Sequence, residues 1–505
     1  MVFLEIFYNI SGGNGTGIGY NGGVGVGIYL QRSNYNNITH NTFSEISGGP
    51  GGLYGDGGVG GGIYLNFTNN CNVALNTFSN IVGGSGGGGD MSGGGYGADG
   101  FGLTLKSSSL ITITSNTFSN IRGGTSGGGK QTAAGVGIAI SLYSSTLNTL
   151  NLNSIDNIIG GLYGDLTSSY GIGFYLDSSS QNEINQNTIR NIFGSGPSVD
   201  GIGIDIHNSA SNTITLNTIQ NVAGADSRRI WPDGSGADGG NGKGIYLFSS
   251  SHNILSQNSI NNLSGGDGAN AGWYGGSGGV GAGIYLQGPT TSNTITQNIV
   301  YNITGGAGGT GEPPGPDGKG VCILLQLYYP HPSNNLIFNN FFSNKASNAY
   351  DDRTNRWNII KTLRLNIIGG LYLGGNFWSD YTGEDSNHDG IGDTPYNIPG
   401  GSNQDLYPLI QPRTIANLQT KWNLISIPYT QPINKINITV RYNGNDYNWS
   451  QATTSNNPTG GPLILGTIFG WNKTMQTYFL SDVLTSGGGY WMWAYYNCIL
   501  LRPMI

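Results

Sequence analysis

One short pattern of apolar and polar positions is written about nine times along this chain. In residues 283–306, GIYLQGPTTSNTITQNIVYNITGG, a glycine opens an apolar-x-apolar triplet. A polar turn follows, then Ile295, Asn298, Val300, Asn302, Ile303 and a GG pair. Aligned on Asn298, the copies carry Asn41, Asn76, Asn116, Asn153, Asn187, Asn217, Asn258, Asn298 and Asn340. An aliphatic residue always stands three places earlier, as at Ile38, Val73 and Leu150. Phe, Ile or Val stands two places later, as at Phe43, Ile155 and Val300. The asparagines lie 30 to 42 residues apart, so the motif is fixed and the spacer elastic. That is the signature of a solenoid, in which no unit can bury its apolar face alone.

The period within the unit is 2, not 3.6. Ile284 and Leu286 fall on one face of a strand and Tyr285 on the other. About 22 residues per motif suffice for three short strands and leave no room for a helix. Copies stacked ~4.8 Å apart give a parallel β-helix. Like residues then sit above like, with Ile, Leu and Phe inside and the asparagines in amide ladders. Asparagine also tolerates the left-handed backbone that such corners need. The expected fold is all-β: a right-handed parallel β-helix of nine to ten coils, then a small β-sandwich. The expected divisions are 1–370, a terminal segment 371–412, and 413–505.

Glycine, 90 of 505 residues, is confined to the spacers and has no collagen period. The expectation is flexible surface loop. The alternative is that neighbouring spacers pack on each other as extended, hydrogen-bonded chains and form an ordered ridge. Charged residues are only 9% and the net charge is −7, with 20 Lys and Arg in all, which argues against nucleic acid. Cys71, Cys322 and Cys498 make neither a disulfide framework nor a zinc site. No apolar run reaches the ~18 residues of a membrane span. Nine N-x-S/T sequons suit a protein outside the cell. Phe7, Asn9 and Ile10 occupy the columns of Val300, Asn302 and Ile303, so the chain begins in mid-repeat. A missing segment or a partner is expected to cap that open first coil.

After Asn340 the pattern changes. The run NIIGG-YLGGNFWSDYTG, followed by DGIGDTPYNIPGG and LYPL, resembles the terminal segment of NosD-like right-handed β-helix surface proteins of archaeal type. The GIYL…NTI coils are similar to the same superfamily, and the likeness covers most of residues 14–410. The resemblance implies a location at the cell surface or outside the cell. Its copper-linked member implies copper, but five His and five Met here form no clustered ligand set, so copper is not carried over. KWNLISIPY, FGW and GGYWMWAYY in residues 413–505 resemble a β-rich domain appended to surface proteins. Its Trp422, Trp471, Trp491 and Trp493 are expected in a core, with a sugar platform as the alternative.

Candidate chemistry lies in three places. The outward column Tyr29, Tyr64, Tyr175, Tyr246 and Tyr285 suits sugar rings, which pack on flat apolar faces with polar tips. Thr104, Ala139, Asp205 and Cys322 are expected at the other coils of that column. Cross-strand packing alone would also account for the tyrosines. Asp205 replaces a tyrosine, His207 follows it, Asp177 lies one coil earlier and Asp200 just before, a group to consider for polysaccharide cleavage. A solvated ion pair is the plainer reading of Asp177, Asp205 and His207.

The third place is Asp385–Asp393, DSNHDGIGD. Asp385, Asn387, Asp389, the Ile391 carbonyl and Asp393 fall on positions 1, 3, 5, 7 and 9 of an EF-hand-type calcium loop, with Gly390 at position 6. Position 12 is Tyr396, so a further oxygen must come from Glu384 or Asp405. These features predict an extracellular structural or adhesive protein, calcium-stabilised, whose partners are surface glycans or copies of itself. A carbohydrate-active enzyme and a carbohydrate-binding module without turnover are the alternatives.

Overall fold

The computed structural model describes residues 2–502 except 4, 90–92, 129–131, 162–168, 327–330, 388, 411–413, 427–431, 473 and 486–487. Two compact units emerge. The first comprises Met1–Ile359, Gly375–Thr382 and Thr394–Pro408; the second comprises Ile360–Gly374, Gly383–Asp393 and Leu409–Ile505.

The first unit is a parallel β-solenoid of about ten turns. Each full coil has a long strand opening on glycine, such as Gly281–Gln287, a three-residue strand, such as Thr294–Thr296, and a third strand, such as Ile299–Thr304. Like strands pair in parallel with like from coil to coil, giving three sheets of 10, 10 and 11 strands. The register is strict: Ile214 pairs with Leu255 and Leu255 with Ile295, column by column. Inward aliphatics fill one continuous core. Within it Phe7, Phe43, Phe78 and Phe118 stack with centroids 4.7, 4.8 and 4.5 Å apart.

The asparagine column is a buried ladder. Each backbone N–H and each Nδ2 donates to the Oδ1 of the next asparagine. Asn258 to Asn298 is typical, at 3.0 and 2.9 Å, and its Nδ2 also reaches the Ile214 carbonyl. The series continues one coil beyond the nine copies, to Asn376. The corner's left-handed backbone is not on these asparagines, as anticipated, but on the residue before each. His40, Leu75, Ser115, Leu152, Gln186, Leu216, Gln257, Gln297 and Asn339 have φ between 54° and 61°. The ladder fixes the side chain of one residue, and the strain passes to a neighbour whose side chain faces outward at every coil but the last, where Asn339 is buried. A second buried ladder runs five residues earlier from the fourth coil on, through Asn148, Asn182, Asn212, Asn253, Asn293 and Asn335, and ends at Asn355.

The glycine spacers are not loose loops. Gly49 donates to Gly23, Gly84 to Gly58 and Gly124 to Ala98, each chain bonded to the one below at 2.7 to 2.8 Å. Gly58 and Gly135 bond across their own loops, to Gly49 and Gly124. A second group does the same through Gly240, Gly266, Gly279, Gly306 and Gly318. In the 48–60 spacer, Gly48, Gly51, Tyr54, Gly57 and Gly60 donate onward to the next coil, every third residue. That is the three-residue turn of a polyproline II-type chain. A Cβ on Gly49, Gly84, Gly124, Gly266 or Gly279 would collide with a neighbour's backbone. Glycine is there because the chains pack too closely for a side chain, which overturns the flexible-loop expectation in favour of the ordered ridge.

In the second unit, two four-stranded antiparallel sheets share one core. One holds Thr414–Leu418, Cys498–Leu501, Thr439–Tyr442 and Asn445–Asn448; the other holds Lys421–Ser426, Gly489–Ala494, Ile468–Asn472 and Thr477–Ser481. Along Gly489–Ala494, Tyr490, Met492 and Ala494 point inward, so the alternation sends Trp491 and Trp493 out. Trp493 pairs with Trp422, which is 51% exposed, and the two rings meet edge-on at 5.5 Å. Trp471 is exposed as well. The expectation that these tryptophans form the core is corrected.

Candidate functional site

The outward face of the long-strand sheet carries the candidate residues in two adjacent columns. One reads Tyr29, Tyr64, Thr104, Ser141, Tyr175, Asp205, Tyr246, Tyr285 and Leu324. Two expected members are wrong. Ala139 and Cys322 are fully buried one step inside, and Ser141 and Leu324 hold the outward places. The long strands open on G-x-G, and Ala139 and Cys322 replace its second glycine, which displaces a count made from the remaining one. The other column runs Gln31, Asn66, Lys106, Tyr143, Asp177, His207, Phe248 and Gln287.

The tyrosines fall into two environments. Tyr29 is 55% exposed and stacks on Tyr64 at 5.4 Å with 11° between the rings. Burial and the neighbouring Tyr29 raise the Tyr64 phenol above its ordinary range. Tyr175 is half-buried, and burial pushes its phenol up to about 12. Tyr246 and Tyr285 are only 7% and 8% exposed and pack with Ile202, Ala282, Val321 and Leu324. The stripe is therefore open at Tyr29, half-buried at Tyr64 and a packed cluster at Tyr246 and Tyr285.

The acid–histidine group is real but differently built. Asp177 and His207 are Cα partners on adjacent rungs, yet Asp177 accepts from Ser178 and Asn208 instead. His207 Nε2 lies 2.8 Å from Asp205 Oδ1, at ion-pair distance but outside hydrogen-bond geometry. Asp205 is 4% exposed. Burial pushes its carboxyl above the usual range, while His207 and then Lys243 pull the other way. Lys243, unremarked in the sequence, is the buried centre of this group. It pairs with Asp200 Oδ2 at 2.7 Å and lies over the Tyr246 ring at 4.0 Å. It stands in a column whose other members, Phe101, Ile138, Ile172, Ile202, Ala282 and Val321 among them, are uncharged, and only register reveals it.

The Asp385–Asp393 loop is folded on itself. Asp385 Oδ1 and Oδ2 accept the N–H groups of Asp389 and Gly390 at 3.0 and 2.9 Å. Asn387 accepts from Asp389, and Asp389 from Ile391. Asp393 accepts from Ser386 N–H at 2.7 Å, which holds its carboxyl below the usual range. Gly390 has φ +83°, the turn that position 6 requires. Lys361 forms an ion pair with Asp389. Of the extra oxygens considered, Asp405 is already engaged. It is fully buried and accepts from Asn376 N–H, Trp378 Nε1 and Tyr407 N–H. Tyr396 stacks on Trp378 at 4.4 Å.

Residues 226–383 match the family model described as NosD, periplasmic copper-binding protein. Among the described residues no three His, Cys, Asp or Glu side chains form a metal-holding group. Among solved structures, the Dettilon tailspike protein (gp208) is similar at 11% identity, over 93% of this chain and 87% of that one, with a TM-score of 0.26. The A-module of Azotobacter vinelandii mannuronan C-5 epimerase AlgE6 is similar at 11% identity, over 66% and 90%, with a TM-score of 0.17. At such scores neither likeness bears on function. No curated protein gives a significant match. Among the described residues no helix is long and apolar enough to cross a membrane, which says nothing of a β-barrel. Residues 226–383 are thus similar to the NosD family, on coils whose strands and ladders continue through the rest of a parallel β-solenoid of about ten turns.

Proposed function

We propose that this chain is a structural and adhesive protein of the cell surface, which holds glycans on the outward face of its long-strand sheet without cleaving them. The observation that carries the reading is the Tyr29–Tyr64 pair, two near-parallel rings on the outward face of the sheet, Tyr29 exposed and Tyr64 half-buried. Exposed aromatic faces with polar tips fit pyranose rings. The partners are surface glycans, with neighbouring copies of the chain as the second class. Labelling of unpermeabilised native cells by an antibody to this chain tests the location. Signal only after lysis would contradict it.

A polysaccharide-cleaving enzyme has the Asp205–His207–Lys243 group in its favour. Hydrolysis needs two accessible carboxylates ~5–10 Å apart. Here Asp205 is buried and Asp200 is tied to Lys243, so the binding reading is the stronger.

Calcium is part of the same proposal. Asp385, Asn387, Asp389, Asp393 and the Ile391 carbonyl are all hard oxygen donors of the kind calcium takes. Lys361 at present neutralises Asp389 and would have to yield to the ion. The ion would offset repulsion among the three carboxylates of the loop.

A further inference from the structure

The tyrosine column is broken at two successive rungs. Thr104 and Ser141 stand where the flanking coils carry Tyr64 and Tyr175. With rungs ~4.8 Å apart, two missing phenol rings leave a notch about two rungs long. The notch has a volume of about 260 Å³. That is just below the ~300–1,000 Å³ of sites for drug-sized ligands, so it suits one ring and not a long chain.

Its lining is mixed in a definite way. On the floor, the buried hydroxyls of Thr104 and Ser141 are bonded to each other at 2.7 Å. Tyr64 forms one wall, braced edge-on by Phe101 at 6.0 Å, and Tyr143 forms another. Asp99 reaches in from the glycine ridge. Its Oδ1 accepts the Val136 N–H at 2.8 Å, and among the described residues Oδ2 accepts no hydrogen bond, which leaves it for a ligand donor. Lys106 lies at the exposed rim and forms no ion pair among the described residues. Beside it in the ladder, Asn66 Oδ1 is buried without a hydrogen-bond partner. Aromatic walls, a hydroxyl floor, a carboxylate acceptor and an ammonium donor together match a ring that is apolar on its faces and hydroxylated at its edge.

We propose that this notch is a saccharide subsite that holds one pyranose ring of a glycan. The ring packs on Tyr64 and Tyr143. Its hydroxyls donate to Asp99 and exchange bonds with the Thr104–Ser141 pair, and Lys106 donates to a substituent oxygen at the rim. The inference rests on the glycan-binding reading and adds the place.

The test uses the full chain on a microarray of pyranose oligosaccharides, followed by calorimetry on the glycan that binds best. Ser141→Tyr puts into the notch the residue that the next coil carries at the same place, so the sheet already accommodates it. It should weaken binding by about a hundredfold or more, the loss of a filled site. Asp99→Asn and Lys106→Ala leave the floor intact, and each should weaken binding by about tenfold, the worth of a hydrogen bond to a charged group. They keep the inference testable if Ser141→Tyr fails to fold. Undiminished binding by a folded Ser141→Tyr, or by both other variants, would overturn the notch and leave the glycan reading standing. No binding of any glycan by the unaltered chain would overturn both.

Discussion

Asn376 donates its backbone N–H to Asp405 Oδ2 at 2.6 Å, and there the amide ladder ends. Every asparagine above both accepts and donates, so the last one needs a partner that only accepts. A carboxylate is such a group. Asp405 takes Asn376 and Trp378 Nε1 on one oxygen and Tyr407 N–H on the other. The second ladder ends alike: Asn355 donates to buried Asp351, which also accepts Trp357 Nε1 at 2.8 Å. Both ladders thus end on a buried aspartate with an indole at its side, the first running from Asn41 and the second from Asn148.

This ending makes stability depend on pH. Burial pushes the Asp405 carboxyl up to about 7, against the donors that favour its charge. Between about 4 and 7 the folded chain holds a proton that the unfolded chain releases. The resulting stability is full below pH 4 and is lost as pH rises through 7. The thermal midpoint should climb as pH falls from 7.5 to 5. Asp405→Asn should flatten that slope and also cost about 1–3 kcal/mol, because its NH₂ would face one of three N–H donors. Asp351, likewise raised by burial, keeps a residual slope of the same sign.

The packed glycine ridge is tested by Gly266→Ala. In a flexible loop the added methyl would stabilise by ~0.4–1 kcal/mol through the unfolded chain. In the ridge it collides with the Ala225 backbone and should destabilise by about 1–3 kcal/mol. Gly272→Ala, with open space around its Cβ, is the control and should be neutral or slightly stabilising. Equal midpoints for the two variants would mean that the ridge is loose.

Much of the solenoid was legible in the chain because its stacking is written in single columns. Asn298 and its eight equivalents, with the aliphatic three places before, predict strands, corners and ladder together. The second ladder was equally written, as an asparagine five places before the first from Asn148 onward, but a motif anchored on one column hides it. Asn376 was hidden by its setting, although Trp378 stands two places on where Phe342 does in the coil before. Its terminator could not be read, since Asp405 lies 29 residues away and its role depends only on contact. The ridge was legible in principle, from Pro50, Leu53, Asp56 and Val59 spaced by three among glycines. Lys243 was not, because nothing local marks a lysine as buried between two aspartates.

Calcium should raise the unfolding temperature of the chain, and Asp389→Ala should remove the rise. Differential scanning calorimetry with calcium and with chelator reads both. A midpoint indifferent to chelator, with no calcium found in the purified protein by elemental analysis, would show that the Asp385–Asp393 loop is held by its own N–H groups and Lys361 alone.

Binding without turnover is measured most directly by incubating the purified chain with the glycans it retains on a microarray and weighing the products by mass spectrometry. The account predicts saturable binding of pyranose oligosaccharides, weakened by Tyr64→Ala at an unchanged thermal midpoint, with every glycan recovered intact. Shortened or unsaturated fragments that disappear in Asp205→Asn would contradict it and make the buried acid–histidine group an active site.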